Sequence, residues 1–294
     1  LKGQDGEMLM QRINGNEWKP VESELSREPI PGCDIYSSID INIQDVAEAA
    51  LLKQMKNQRA ERGCVVLMEV KTGFVKAIAN LTMSKDQTSY NESLNHAVGL
   101  ASEPGSTFKL ASLMVALEDQ RIQISDSVDM TGSYSFFGER LTDPKKFGRN
   151  TIQYAFEKSS NVISQIINES YKDNPQDFID GLKSIGLHKK LGLPIIGEGK
   201  PEIIDADDTQ FSGISIPWMS IGYGVEITPL QTLAFYNAVA NNGVLVRPQF
   251  VKQIKCSNES TTSFGEEIIN PRICSESTLK DVKVMLKGVV ERGT

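Results

Sequence analysis

The clearest hydrophobic pattern in the first third of the chain is helical. Ile43, Val46, Ala47, Ala50 and Leu51 recur so that they share one face, and Asp40 stands before them as an N-cap. This spacing predicts a helix from Ile43 to about Asn57. Glu61-Arg62-Gly63 then reads as a turn. Cys64-Val65-Val66-Leu67-Met68 is apolar but too short for a helix, so a buried strand is expected. Lys71-Thr72-Gly73 is a second turn, with Phe74 to Ala79 returning as the partner strand. A helix followed by a hairpin implies an α/β fold in which a sheet packs against helices.

A second helical segment differs in kind. Leu110, Leu113, Met114 and Leu117 sit at i, i+3, i+4 and i+7, while Ala111, Val115 and Ala116 fill the other side. A helix that is apolar nearly all round is buried. Further on, Thr151 caps a short helix to about Glu157. Ser159-Ser160-Asn161 interrupts it, and Val162 to Tyr171 forms the next helix. Thr228-Pro229-Leu230-Gln231 has the form of a capping box with Pro at the first helical position. That helix is expected to reach about Ala240, where Asn242-Gly243 ends it. Val244 to Val246 and Phe250 to Lys255 read as strands. Residues 80–100 carry no clear pattern, and residues 125–150 read as irregular. Residues 1–26 are polar without a period, and Arg27 to Gly32, with two prolines and a glycine, reads as a linker.

Composition narrows the functional classes. The chain has 294 residues and a formal net charge of -7, with no Lys/Arg cluster, which argues against nucleic acid as a partner. No stretch approaches the roughly 18 apolar residues of a membrane span. The first residue is Leu1, so a piece of a longer chain is expected, with any anchor upstream. Four cysteines occur, none in a C-x-x-C pair, and only His96 and His188 could join them. Neither a metal site nor a cofactor is therefore expected. Cys64 reads as a buried small hydrophobe. Cys256 and Cys274 flank a polar stretch and would face each other across a hairpin there; their pairing stays open.

Two short motifs carry candidate chemistry. Ser106-Thr107-Phe108-Lys109 fits S-x-x-K. With Ser106 at a helix start, Lys109 lies one turn on and nearly on the same face. A lysine in so apolar a helix is desolvated, which lowers its pKa toward that of a usable base for a serine nucleophile. Ser159-Ser160-Asn161 fits S-x-N, with a hydroxyl suited to relay a proton and an amide suited to hold a peptide group. Taken singly, each motif also fits a helix cap. Lys71-Thr72-Gly73 repeats the K-T-G triplet of such enzymes but precedes the serine and sits in a turn, so it is read as turn chemistry. Gly222-Tyr223-Gly224 lacks the spacing of a phosphate loop and is read as a turn. His96 and His188 have no partner in the sequence that would make a triad.

Together these segments resemble class B penicillin-binding proteins of the cell-division type (FtsI or penicillin-binding protein 3). The resemblance rests on Ser38 to Gln44, Glu103 to Lys109, Ser159 to Val162, and Gly222 through Gln231 to Gly243. It implies a serine β-lactamase/transpeptidase-like fold, a sheet between helix layers. Residues 1–33 would be the tail of an N-terminal pedestal domain and linker, and residues 34–294 the transpeptidase domain. It also implies a D,D-transpeptidase that cross-links peptidoglycan stem peptides through a serine acyl-enzyme during septal wall synthesis and is blocked by β-lactam antibiotics. Ser106 would be the nucleophile, Lys109 the general base, Ser159 the proton relay and Asn161 a substrate contact, with the Ser106 N–H as half of the oxyanion hole. Divisome membrane proteins would be partners of the full-length protein. A helix of the cytoplasmic membrane would hold it, with the catalytic domain in the periplasm. The family's K-T-G strand would follow Thr294, so this chain is expected to be C-terminally truncated, with a bare sheet edge and poor activity. Neighbouring alternatives are an elongation-type penicillin-binding protein, a class D β-lactamase or a β-lactam sensor.

Overall fold

In the computed structural model, which describes residues 1–256 and 260–293, Asp40 caps a helix running from Ile41 to Gln58. Its carboxylate accepts from the Asn42 and Ile43 amides, as the sequence leads one to expect. Thr294, the last residue of the expected second domain, lies outside the described residues.

The helix lies on an antiparallel hairpin of Arg62–Met68 and Val75–Met83, extended by the short strand Tyr90–Asn91. Leu51 and Met55 on the helix pack against Ala79 and Leu81 on the strand. The Gln44 side-chain amide bonds both Ile78 N, at 2.8 Å, and Ile78 O, at 3.0 Å, and so occupies backbone groups a further strand would otherwise take. Lys71 is exposed in the turn of this hairpin, where the Thr72 hydroxyl bonds Glu69 and accepts from Phe74 N at 3.2 Å. The early K-T-G is thus turn chemistry. Cys64 is half-buried rather than buried, because the strand that carries it has one partly open face.

Helices make up much of the remaining core. Every residue from Lys109 to Leu117 is buried. The helix Pro175–Ile185 buries Phe178, Ile179, Leu182 and Ile185, and the helix Pro229–Ala240 starts with the expected capping box. The last helix, Glu276–Arg292, buries Leu279, Val282 and Met285. Residues 125–150, expected to be irregular, form two antiparallel pairs: Ser127–Met130 with Gly148–Thr151, and Ser133–Phe136 with Glu139–Thr142. The second pair turns at Phe137 and Gly138, both at positive φ, the geometry a two-residue hairpin loop demands.

All of this belongs to one of two compact units, residues 39–248 with 266–294. The other comprises residues 1–38 and 249–265. It contains the hairpin Met10–Asn14 and Glu17–Pro20, and a sheet in which Val251–Lys255 lies between Asp34–Ser37 and Thr261–Ser263. Asp34 pairs with Lys255 in that ladder. The next residues along it, Cys33 and Cys256, are joined by a disulfide. The hairpin pairing of Cys256 with Cys274 is therefore overturned: Cys256 is taken up at the end of this ladder, and Cys274 is a buried free thiol. Among the described residues, no helix is long and apolar enough to cross a membrane, and no group of three or more His, Cys, Asp or Glu is placed to hold a metal.

Candidate active site

Pro104 and Gly105 decide how the chain enters the buried helix. Gly105 has φ +58°, a conformation that bends the chain sharply and is nearly free of cost only for glycine. Residues Gly105–Phe108 then make one 3-10 turn before the α-helix Lys109–Glu118. The helix was expected to begin at the serine; it begins three residues later, and this sharpens the geometry. In a 3-10 turn, side chains at i and i+3 eclipse, so Ser106 and Lys109 lie on one line.

A loop braces this turn from outside. Gly105 N donates to Gly222 O at 3.0 Å, and Gly224 N donates to Glu103 Oε1 at 2.8 Å. Gly222 has φ +85°, and a Cβ there would stand 2.1 Å from Gly105 O. Only glycine fits. Gly222-Tyr223-Gly224 is a turn, as expected, and its function is to support the serine segment. Tyr236 OH adds a bond to Thr107 O at 2.9 Å.

Ser106 is exposed, whereas Lys109 is only 1% exposed. Burial pushes the Lys109 pKa down to about 8, with the Asp143 carboxylate opposing the shift. Its Nζ donates to Ser159 O at 2.6 Å and to Asn161 Oδ1 at 2.9 Å, with Ser159 Oγ at 3.4 Å. Lys109, Ser159 and Asn161 are thus brought together, about 50 residues apart in sequence. Ser106 Oγ makes no hydrogen bond to Lys109 among the described residues, although the 3-10 turn sets the two at i and i+3. Catalytic hydrogen bonds of this type are commonly longer without substrate.

The Ser159-Ser160-Asn161 turn owes its shape to two helices and one carboxylate. Thr151 caps the helix Ile152–Glu157, and the next helix runs Val162–Tyr171, as expected. Between them Ser159 has φ +50°, a left-handed conformation that costs a non-glycine residue on the order of 1–3 kcal/mol. That kink directs the Ser159 carbonyl at Lys109. Asp143, just after the hairpin strand Glu139–Thr142, holds the turn. It accepts from the Ser160 hydroxyl, from Asn161 N at 2.6 Å and from Tyr134 OH at 3.2 Å. Asn161 Nδ2 also donates to Thr142 O at 3.0 Å, which fixes the amide so that its oxygen faces Lys109. The inward aromatics of the hairpin, Tyr134 and Phe136, pack with Ala155 and Val162 of the helices flanking the turn. Asp143 was missed by sequence reasoning; the signal that leads to it is the alternation Tyr134, Phe136 ending in the Phe137-Gly138 turn, which predicts a hairpin closing just before it.

The remaining expected residues fall elsewhere. His96 Nε2 bonds Thr82 Oγ1 at 2.8 Å, and His188 is half-buried near Lys183, Lys189 and Asp205. Beside the serine segment, a cleft of about 350 Å³ is lined by Glu103, Trp218, Tyr223 and Gly224 among others.

Residues 63–294 match the family described as penicillin binding protein transpeptidase domain. Penicillin-binding protein PbpB of Mycobacterium tuberculosis is 27% identical over 99% of this chain and 43% of its own length. Peptidoglycan D,D-transpeptidase FtsI of Escherichia coli is 26% identical over the whole chain and 47% of its own length. The chain thus spans about half the length of the curated relatives it matches. The crystal structure of penicillin-binding protein 3 from Mycobacterium tuberculosis, complexed with aztreonam, superposes with a TM-score of 0.79 at 26% identity, over 92% of this chain and 60% of that one. The resemblance read from the sequence and the α/β transpeptidase fold are both borne out, and the chain belongs to the penicillin-binding protein transpeptidase family.

Proposed function

We propose that the protein is a peptidoglycan D,D-transpeptidase of the cell-division type, working through an acyl-enzyme on Ser106. The observation that carries this reading is Lys109: a buried lysine with a lowered pKa, three residues after an exposed serine across a 3-10 turn and held by the S-x-N turn. A neutral amine has two N–H donors and one lone pair. Ser159 O and Asn161 Oδ1 take the two donors, which leaves the lone pair for the Ser106 proton.

Ser106 Oγ attacks the D-Ala-D-Ala carbonyl, its proton passes to Lys109, and the developing oxyanion is met by the Ser106 N–H. Lys109 returns the proton through Ser159 Oγ to the leaving nitrogen, and the C–N bond to the last D-Ala breaks. An amine of a second stem then attacks the ester. Its proton passes by way of Ser159 Oγ and Lys109 to Ser106 Oγ as the ester bond to Oγ breaks, and a new amide joins the stems. Asn161 contacts the donor peptide. β-Lactams occupy the donor position and leave Ser106 acylated. On this reading the full-length protein sits at the cytoplasmic membrane with this domain in the periplasm, beside divisome membrane proteins. The Cys33–Cys256 disulfide supports an oxidising compartment.

The test is intact mass and peptide mapping of the full-length protein after penicillin. One adduct, on Ser106, is expected, and Ser106→Ala should remove it. An adduct on another serine overturns the assignment. Rapid loss of the adduct by hydrolysis would make the protein a β-lactamase.

A further inference from the structure

Asp143 lies outside both motifs and yet holds the side of the S-x-N turn that faces away from Lys109. Its two carboxylate oxygens divide the work. Oδ1 accepts from Asn161 N at 2.6 Å. Oδ2 accepts from the Ser160 hydroxyl and, at 3.2 Å, from Tyr134 OH. Ser160 is buried and passes the contact on, since its Oγ also accepts from Val162 N at 3.2 Å, in the first turn of the next helix. Two consecutive groups of the turn's far side, the Ser160 hydroxyl and Asn161 N, therefore converge on one carboxylate, while its near side, Ser159 O and Asn161 Oδ1, faces Lys109.

Such an arrangement has a mechanical reason. The left-handed Ser159 is strained, and a strained turn relaxes unless its surroundings over-determine it. Hydrogen bonds to an ionised acceptor are roughly twice as strong as neutral ones and hold a fixed geometry. The same carboxylate is a fixed negative charge within the field of Lys109, which must gain and lose a proton in each cycle.

Resting on the transpeptidase reading above, we propose that Asp143 is a positioning residue for acylation: its carboxylate clamps the Ser159-Ser160-Asn161 turn against Lys109 and sets the field in which Lys109 exchanges its proton. The titratable groups facing it are Tyr134 and Lys109. Tyr134 is held above its usual pKa, chiefly by burial, and so stays neutral over the working range. Lys145 and Lys146, on the same loop, are exposed.

The two parts of the proposal separate by experiment. Acylation of the full-length protein by penicillin is measured from pH 6 to pH 10 for the wild type, Asp143→Asn and Ser160→Ala, with folding checked by thermal melting. Asp143→Asn keeps the size but removes the charge. Losing charge-assisted bonds should slow acylation about 10- to 100-fold. Because Asp143 raises the pKa of Lys109, removing its charge should also move the limb on which acylation rises to lower pH. Ser160→Ala leaves the charge and removes one anchor, so it should slow acylation and leave the limb where it is. An Asp143→Asn enzyme within twofold of wild type at every pH overturns the proposal, and so does one slowed with an unmoved limb. Should Asp143→Asn fail to fold, Ser160→Ala decides: an unchanged rate overturns the clamp. If wild type is not labelled at Ser106, the transpeptidase reading falls and takes this inference with it. If wild type is labelled and the variants match it, only this inference falls.

Discussion

The two segments that meet at Lys109 are built in opposite ways. The serine segment is the exposed first turn of a helix whose other side is packed all round by apolar neighbours. Its position follows from core packing, and its lysine is activated by the same burial. The helices flanking the S-x-N turn pack in the core through Ala155 and Val162, but the turn itself is held otherwise. It is a strained reversal between two helices, held by a carboxylate, a hydroxyl and an amide. One half of the site is fixed by hydrophobic burial and the other by polar contacts, so substitutions should act on them differently.

The largest effect is expected where the two halves join. Lys109→Met in the full-length protein keeps the volume and the apolar contacts of the helix but removes the base. Penicillin acylation of Ser106 should fall about 10³-fold, within the range general bases contribute, while the melting temperature stays close to wild type. A variant that acylates within tenfold of wild type would remove Lys109 from the chemistry. Next comes the brace on the serine turn. Gly222→Ala puts a Cβ 2.1 Å from Gly105 O and must displace the turn. A misplacement near 1 Å costs on the order of 10² in rate. Gly224→Ala is the control: its φ is also positive, +65°, but nothing lies within 4 Å of the added Cβ, so acylation should be nearly kept. Equal losses at both positions would mean that backbone strain matters and the contact does not.

The pH profile probes burial itself. Lys109 accepts a proton only when neutral, and its pKa is lowered to about 8 by burial, against the pull of Asp143. Acylation should therefore rise with pH, reach half its plateau near pH 8, and at pH 7 run at about a tenth of the plateau. A rising limb near pH 10 would show that the helix does not desolvate its lysine.

The same contrast explains what the sequence discloses. Periodicity reveals the buried helix, the hairpin on which the first helix lies and the capped helix after Thr228, because each is stabilised by its own pattern of apolar residues and caps. The helices Pro175–Ile185 and Glu276–Arg292 carry terminal signals and apolar stripes of the same kind. Asp143 is of another kind. The hairpin signal places it at the end of a strand but gives it no role; its meaning comes from Ser160 and Asn161, 17 and 18 residues on, which only the closed fold brings to it. The Cys33–Cys256 disulfide is hidden for the same reason, being set by a strand pairing 223 residues apart in sequence. Motifs whose parts lie within one helical turn are legible, and contacts made by tertiary closure are not.

The smallest effect tests whether the left-handed kink at Ser159 is imposed by its surroundings. Ser159→Ala and Ser159→Gly both remove the hydroxyl, and so should lose the proton relay equally. They differ only in the backbone. Alanine at φ +50° keeps the steric penalty of an L-residue there, whereas glycine adopts that conformation readily. Glycine also has more freedom to lose on folding, which offsets part of its advantage. The net expectation is that Ser159→Gly is more stable than Ser159→Ala by about 1 kcal/mol, a few degrees in melting temperature for a protein of this size. Acylation rates of the two variants should agree within about twofold, because Asp143 and Thr142 hold Asn161 in either case. If the alanine variant is as stable as the glycine one, the turn carries no strain and the carboxylate has nothing to restrain. If instead the glycine variant acylates far more slowly at equal or greater stability, the turn has relaxed. The conformation at Ser159 would then depend on its own side chain more than on the contacts that surround it.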